Sequence, residues 1–409
     1  MTSFLRPATA LHDPVRARQA DRDELSLALM DARNRTLRWL TAFEAAERWD
    51  GSEGTGYKPW RCFGRVAWFQ EYWTARHVQR GQGEAAFAAL PRLPSVEPQA
   101  DAWFALQHGA APMPTGRPDP DALRSYLADT LELTLQLLES AADDDAGLHV
   151  YRLALLHEDR MAERLAEAAQ WLGVDAADAA APAGPAPARA QREPLWLPAG
   201  PALLGSLPGG LVPPNERWRH TIQVPECEID SQPVCWARYV EFAEDGGYDD
   251  ARWWTEAGWA WVQAQGRRAP RGVEQLRGAV VAERRGSLRR LQAGRAVAHV
   301  TLHEAEAWCR WAGRRLPAEA EWERARATAA SRGWVWGDVW EWMLNGARPY
   351  PGGADVQTAG FAPAQSRPGW GVLRGASSWT VPRAAHPAAR RYAQAQRDDL
   401  FCGFRSCAV

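Results

Sequence analysis

Apolar positions recur every third or fourth residue through the first part of the chain, the period of a helix with one buried face. Leu25, Leu29, Thr36, Leu40 and Phe43 fall on one stripe and predict a helix over Glu24–Arg48. Val66, Phe69, Trp73 and His77 do the same for Arg61–Arg80. A third helix, Asp119–Ala142, opens with Asp119 and Pro120 and carries Leu127, Leu131, Leu135 and Leu138. An acidic cap followed by a residue with pre-set φ is a sound helix start. A fourth, Ala146–Leu172, carries Leu148, Leu155, Met161, Ala162 and Leu165. Four amphipathic helices of this length predict a four-helix bundle over residues 1–174.

The period is lost at Asp175–Pro194, DAADAAAPAGPAPARAQREP, which has no large apolar residue and reads as a Pro-stiffened spacer. Beyond it, in residues 195–409, the pattern shortens. His220–Ile229 predicts a strand, and Trp236–Glu244 a short helix stopped at Gly246–Gly247. Leu302–Ala330 predicts two helices broken at Gly313–Pro317, and the remainder short strands and turns. The fold class expected is therefore α+β, a helical bundle followed by a mixed domain.

Composition narrows the function. Apolar residues make up 46% of the chain, charged residues 24%, and the net charge is −2. No basic surplus exists to neutralise phosphates, which argues against nucleic acid as a partner. No apolar run reaches the length of a membrane span, and Met1–Arg22 has no apolar run suited to a secretory signal. A cytoplasmic protein with reduced thiols is expected, since Cys62, Cys227, Cys235, Cys309, Cys402 and Cys407 form no CxxC pair. The 23 Trp exceed what a core of this size needs, and every basic residue but Lys58 is Arg.

Five segments of the second half stand out: PVCWARYVEFAEDGGYDD (233–250), HVTLHEAEAWCRWAGRRLPAEAEWERA (299–325), GDVWEW (337–342), VLRGASSW (372–379) and DDLFCGFRSC (398–407). In this order they resemble the formylglycine-generating-enzyme-like, or sulfatase-modifying-factor, domain, whose fold is C-type-lectin-like. The copper-dependent members of that family use a close cysteine pair, and the stretch after Arg374–Gly375 contains none. Cys402 and Cys407 read as structural. In the first half, GRVAWFQEYW (64–73) and YRLALLHEDRMAE (151–163) resemble the DinB-like helical domain of the ergothioneine-synthase family, and within it the selenoneine synthases. The resemblance implies a non-haem Fe(II), O2, and two small-molecule substrates, hercynine and a thio- or seleno-donor, joined by a new C–S or C–Se bond on the imidazole.

That family holds its iron with one His on the early helix and a His-x-x-x-His pair on the later one, a spacing that puts two imidazoles on one face. In this chain Arg65 stands at the early position, His157 is retained, and Met161 stands where the third ligand belongs. Arg stays protonated, and a thioether is a poor match for Fe(II). His157 alone also reads as a buried residue with a hydrogen-bond partner. Arg65 is expected beside His157 and Met161, compensated by Glu158, Asp159, Glu163 or a bound anion, because an unpaired buried charge is costly.

On the substrate side the resemblance points to Trp379, Arg391 and Tyr392, with Arg391 in place of the family's Asn. Tyr392 offers a ring face to a trimethylammonium. Trp322, Trp340, Trp342 and Arg405 read as fold-building, with Arg405 buried against a carboxylate. No catalytic residue is assigned. The alternative to a synthase is a non-catalytic homologue that binds a betaine, an amino-acid derivative or a partner protein in the same cavity.

Overall fold

Four long helices make up the first half of the computed structural model, which describes residues 11–51, 56–86, 90–105, 116–175, 193–353, 358–361 and 365–409. They are α1 (Arg22–Ala45), α2 (Pro59–Thr74), α3 (Pro120–Glu139) and α4 (Asp145–Leu172). Local chemistry sets their ends. Asp21 and Glu24 form a reciprocal capping box on α1. Asp119 accepts from the Ala122 N–H ahead of Pro120, and Asp144 accepts from the Gly147 N–H. α4 stops at Gly173, whose φ of 73° is left-handed. In α2, Gly64 lies so close to Phe104 that a Cβ there would meet the ring at 2.0 Å, so the glycine sets how tightly that helix packs.

α2 ends earlier than the periodicity predicts. The helical stripe extends to His77, but the helix stops at Thr74 and the chain passes into a 3-10 turn at Arg80–Ala85. His77 is fully buried beyond the end, where its Nδ1 accepts from the Gln79 N–H at 3.1 Å. The proposed spacer falls largely on residues 176–192, outside the described residues.

The second half is richer in helix than the sequence pattern suggests, with α5 (Trp236–Glu244), α6 (Glu256–Gln265), α7 (Leu302–Trp311) and α8 (Glu319–Thr328). Its sheets are short. β1 (Pro194–Leu197), β4 (Cys227–Asp230), β13 (Cys407–Ala408) and β8 (Arg314–Arg315) form one sheet in the order β1-β4-β13-β8. β11 (Arg390–Gln394), β10 (Trp370–Gly375), β9 (Trp340–Gly346) and β12 (Cys402–Gly403) form a second, in the order β11-β10-β9-β12. β2 (Gly200–Leu204) pairs with β3 (His220–Val224), and β5 (Val273–Arg277), β6 (Ala279–Arg284) and β7 (Ser287–Arg290) make a three-stranded meander. The molecule is thus α+β.

β12 runs parallel to β9, so the GDVWEW and DLFCGFRS segments lie side by side. Arg405 and Glu341 meet there with no exposure on either side chain. Arg405 also donates to the carbonyls of Asp230 at 3.0 Å and Val335 at 2.7 Å, and its guanidinium lies 3.6 Å from the Trp334 ring centre. Cys402 and Cys407 are fully buried free thiols, and burial pushes both up in pKa, as structural residues require. Among the described residues no helix is long and apolar enough to cross a membrane.

Candidate functional site

α4 carries two kinds of surface. Its acidic side is bound into the protein. Glu158 takes Arg33 at 3.0 and 3.2 Å and the Thr36 hydroxyl at 2.7 Å. Asp159 takes both forks of Arg383 at 2.8 Å. Glu163 accepts from the Trp340 indole at 2.8 Å and the Thr380 hydroxyl at 3.2 Å, and also from Ser377. These bonds tie α4 to β9 and to the turn after β10.

The other side, together with Asp159 and Glu163, lines a cavity of about 390 Å³ between α4 and the second sheet. His157, Arg160, Met161 and Arg164 reach it at i, i+3, i+4 and i+7, one face of a helix. Trp340, Arg390, Arg391 and Tyr392 line the opposite wall. The structure therefore brings His157, Met161, Arg391 and Tyr392 to one place. Arg160 and Arg164 were not singled out by the sequence, although their spacing from His157 puts them on its face.

The His157 ring stacks on Phe69 with centroids 3.8 Å apart and planes 9° from parallel. Burial, with Arg65 and then Arg160 as neighbouring cations, pushes its pKa down to about 3, so the imidazole is neutral at ordinary pH. Arg65 is half-buried, and desolvation lowers its pKa, with Arg61 and Arg164 adding repulsion. The expected ion pair of Arg65 with Glu158, Asp159 or Glu163 does not form, because all three carboxylates are taken by the partners above.

Arg391 donates to Glu167 at 2.9 Å and stands 4.0 Å from Glu163. The Tyr392 hydroxyl donates to the Arg348 carbonyl at 2.7 Å, and one ring face already looks at the Arg390 guanidinium, 5.2 Å from its centre. Arg390 is fixed by both oxygens of Glu319 at 2.7 and 2.8 Å. Trp379 does not line this cavity. It packs on Trp39 and Phe401, each 5.9 Å away between ring centres, and borders a separate cavity of about 630 Å³ beside Arg284 and Arg285. Its turn points it at the helical core rather than at His157.

The iron of the resembled family does not fit these residues. One imidazole, one thioether and one guanidinium supply a single good donor, and Arg65 and Arg160 place positive charge where a dication would stand. Among the described residues no group of three or more His, Cys, Asp or Glu is placed to hold a metal.

Known proteins resemble this chain in its second half and along most of its length. Residues 180–338 match the family model of the sulfatase-modifying factor enzyme 1-like domain. Hercynine oxygenase of Mycolicibacterium smegmatis is 29% identical, with 95% of this chain and 98% of that protein covered. Hercynine oxygenase of Mycobacterium tuberculosis is 30% identical over 94% and 98% of the two chains. A formylglycine-generating enzyme of Streptomyces coelicolor is 33% identical, but over only 41% of this chain and 58% of its own.

Proposed function

Because the chain belongs to the hercynine oxygenase family, we propose that it binds hercynine, or a betaine of the same build, in the cavity between α4 and the second sheet. The observation that carries this reading is the single cavity shared by His157, Met161, Arg391 and Tyr392. A trimethylammonium group suits the part of the Tyr392 ring that lines the cavity and the neighbourhood of Glu163. An imidazole suits the aromatic wall at Trp340. The donor set departs from the three-imidazole iron site, so no oxygenation step is assigned to this chain's residues, and the protein is read as a hercynine-binding homologue.

The second reading is a synthase that joins sulfur or selenium to the imidazole of hercynine with O2. End-to-end likeness to the hercynine oxygenases favours it. It requires an oxygen-activating centre at positions other than 65, 157 and 161.

Calorimetric titration with hercynine, metal analysis of the purified chain, and a product assay with O2, Fe(II) and a thiol or selenol donor separate the two. One hercynine bound per chain, iron far below stoichiometry and no C–S or C–Se product support the binder. Absence of hercynine binding sinks it. Product formed with about one iron per chain establishes the synthase instead.

A further inference from the structure

Not every arginine of the cavity is held by an ion pair. Three of its arginines have full partners: Arg18 holds Glu216 at 2.6 and 2.9 Å, Arg390 holds Glu319, and Arg391 holds Glu167. Asp159 is taken by Arg383, while Glu163 is held by the uncharged donors of Trp340, Ser377 and Thr380. Arg160 and Arg164, one turn apart on α4, are left over, and Arg65 approaches them from α2. No ion pair or hydrogen bond among the described residues fixes the three guanidinium groups, and the carboxylates that act on the α4 pair, Glu216 and Glu163 on Arg160 and Glu167 on Arg164, do so only at longer range.

We propose that Arg65, Arg160 and Arg164 form an oxyanion site where the family's iron would stand, taking a carboxylate, phosphate or sulfate group next to His157. The guanidinium fork is built for such groups, since planar paired N–H donors match two oxygens of an anion. Arg160 and Arg164 stand open to solvent inside the cavity, so an anion can reach them. Arg65 is half-buried on α2, outside the cavity lining, and acts on His157 and Arg164 by its charge alone. The inference deepens the reading of the cavity as a ligand site: it names the charged end that this wall recognises. Two sources share the chemistry, the carboxylate of a betaine and a free inorganic oxyanion.

Both are tested on the full chain by calorimetry at fixed low ionic strength. Phosphate and sulfate are titrated into the parent, into Arg160→Gln/Arg164→Gln, into Arg65→Gln, and into Arg289→Gln/Arg290→Gln, which alters exposed cations of the meander instead. The parent is expected to bind one anion per chain. The α4 pair should lose affinity on the order of tenfold or more, as loss of charge-assisted hydrogen bonds requires. Arg65→Gln should lose several-fold, and the meander pair should match the parent. Unchanged anion affinity in the α4 pair, or an equal loss in the meander pair, overturns the site. Hercynine and its methyl ester then distinguish the sources. Weaker binding of the ester, abolished by the α4 substitutions, assigns the site to the ligand's carboxylate. Equal binding of the two assigns it to a free oxyanion. If neither binds while phosphate does, the hercynine reading fails and the anion site stands.

Discussion

A guanidinium cut off from water must give every donor to the protein, and Arg405 does so through Glu341, two backbone carbonyls and the face of Trp334. Arg405→Met leaves the Glu341 carboxylate buried with only the Trp322 indole, at 3.0 Å, to hold it. A loss of about 3–5 kcal/mol is expected from urea unfolding, the usual result of removing one member of a buried pair. Equal stability of the variant would show that the pair does not organise the second half. Buried histidines make a second residue-scale prediction. Burial lowers His386 to about 3, with Arg18, Arg326 and Arg374 adding repulsion and Glu216 opposing. Burial also lowers His299 well below its ordinary value, aided by Arg284 and Arg271 and opposed by the Leu400 backbone and Asp399. The unfolded chain binds these protons near pH 6.5 and the folded chain does not. Their contribution is therefore present above about pH 6.5 and is lost as pH falls towards 3, by up to about 1.4 kcal/mol per unit for each histidine. The stability gap between the parent and His386→Gln should shift in favour of the variant below pH 6.5. Parallel curves would refute the assignment.

At the scale of elements, α4 explains why the helices could be read from sequence and the site only in part. Its caps, Asp144 and Gly173, are local signals, and so is the Asp119–Pro120 start of α3. The end of α2 is not local: the stripe to His77 is real, but the chain turns there to bury His77 under Trp73, 5.3 Å away between ring centres. In the cavity, the shared face of His157 and Met161 follows from their spacing along α4, while Arg65 lies on α2 and outside the lining. The place of Trp379 was not legible, because a turn decides its direction. Nor was the fate of Glu158, Asp159 and Glu163, because their partners Arg33, Arg383 and Trp340 lie far away in sequence. The helix geometry also makes a testable claim about metal. His157 and position 161 share a face of α4, and position 65 approaches from α2. Arg65→His with Met161→His should create a site for Co(II), read as one ion per chain with visible d–d absorption, where the parent shows none. Failure of the double variant to bind, with its fold intact by circular dichroism, would show that α2 and α4 no longer hold the spacing a three-imidazole site needs.

On the scale of the whole molecule, the two halves share their cores. The cluster around Trp39, Phe43, Phe63 and Leu165 is completed by Phe401 and Trp379 from the second half. The cluster around Leu25, Leu29 and Tyr151 is completed by Leu211, Ala359 and Phe361. Polar bonds cross at the same places. Tyr57 donates to Asp399 at 2.8 Å, the Trp171 indole to the Asp399 carbonyl at 2.9 Å, and Arg383 reaches Asp159 and Asp31 together. A helical bundle that relies on its neighbour in this way cannot be separated without exposing apolar surface and stranding Asp159 and Glu163. Residues 11–175 expressed alone should therefore be helical by circular dichroism but loosely packed, with dye-binding apolar surface and rapid proteolysis. The full chain should melt in one cooperative transition instead of two. A fragment that resists protease as well as the full chain, or two resolved calorimetric transitions, would show that the halves are independent domains and that the cavity between them opens and closes without cost to either core.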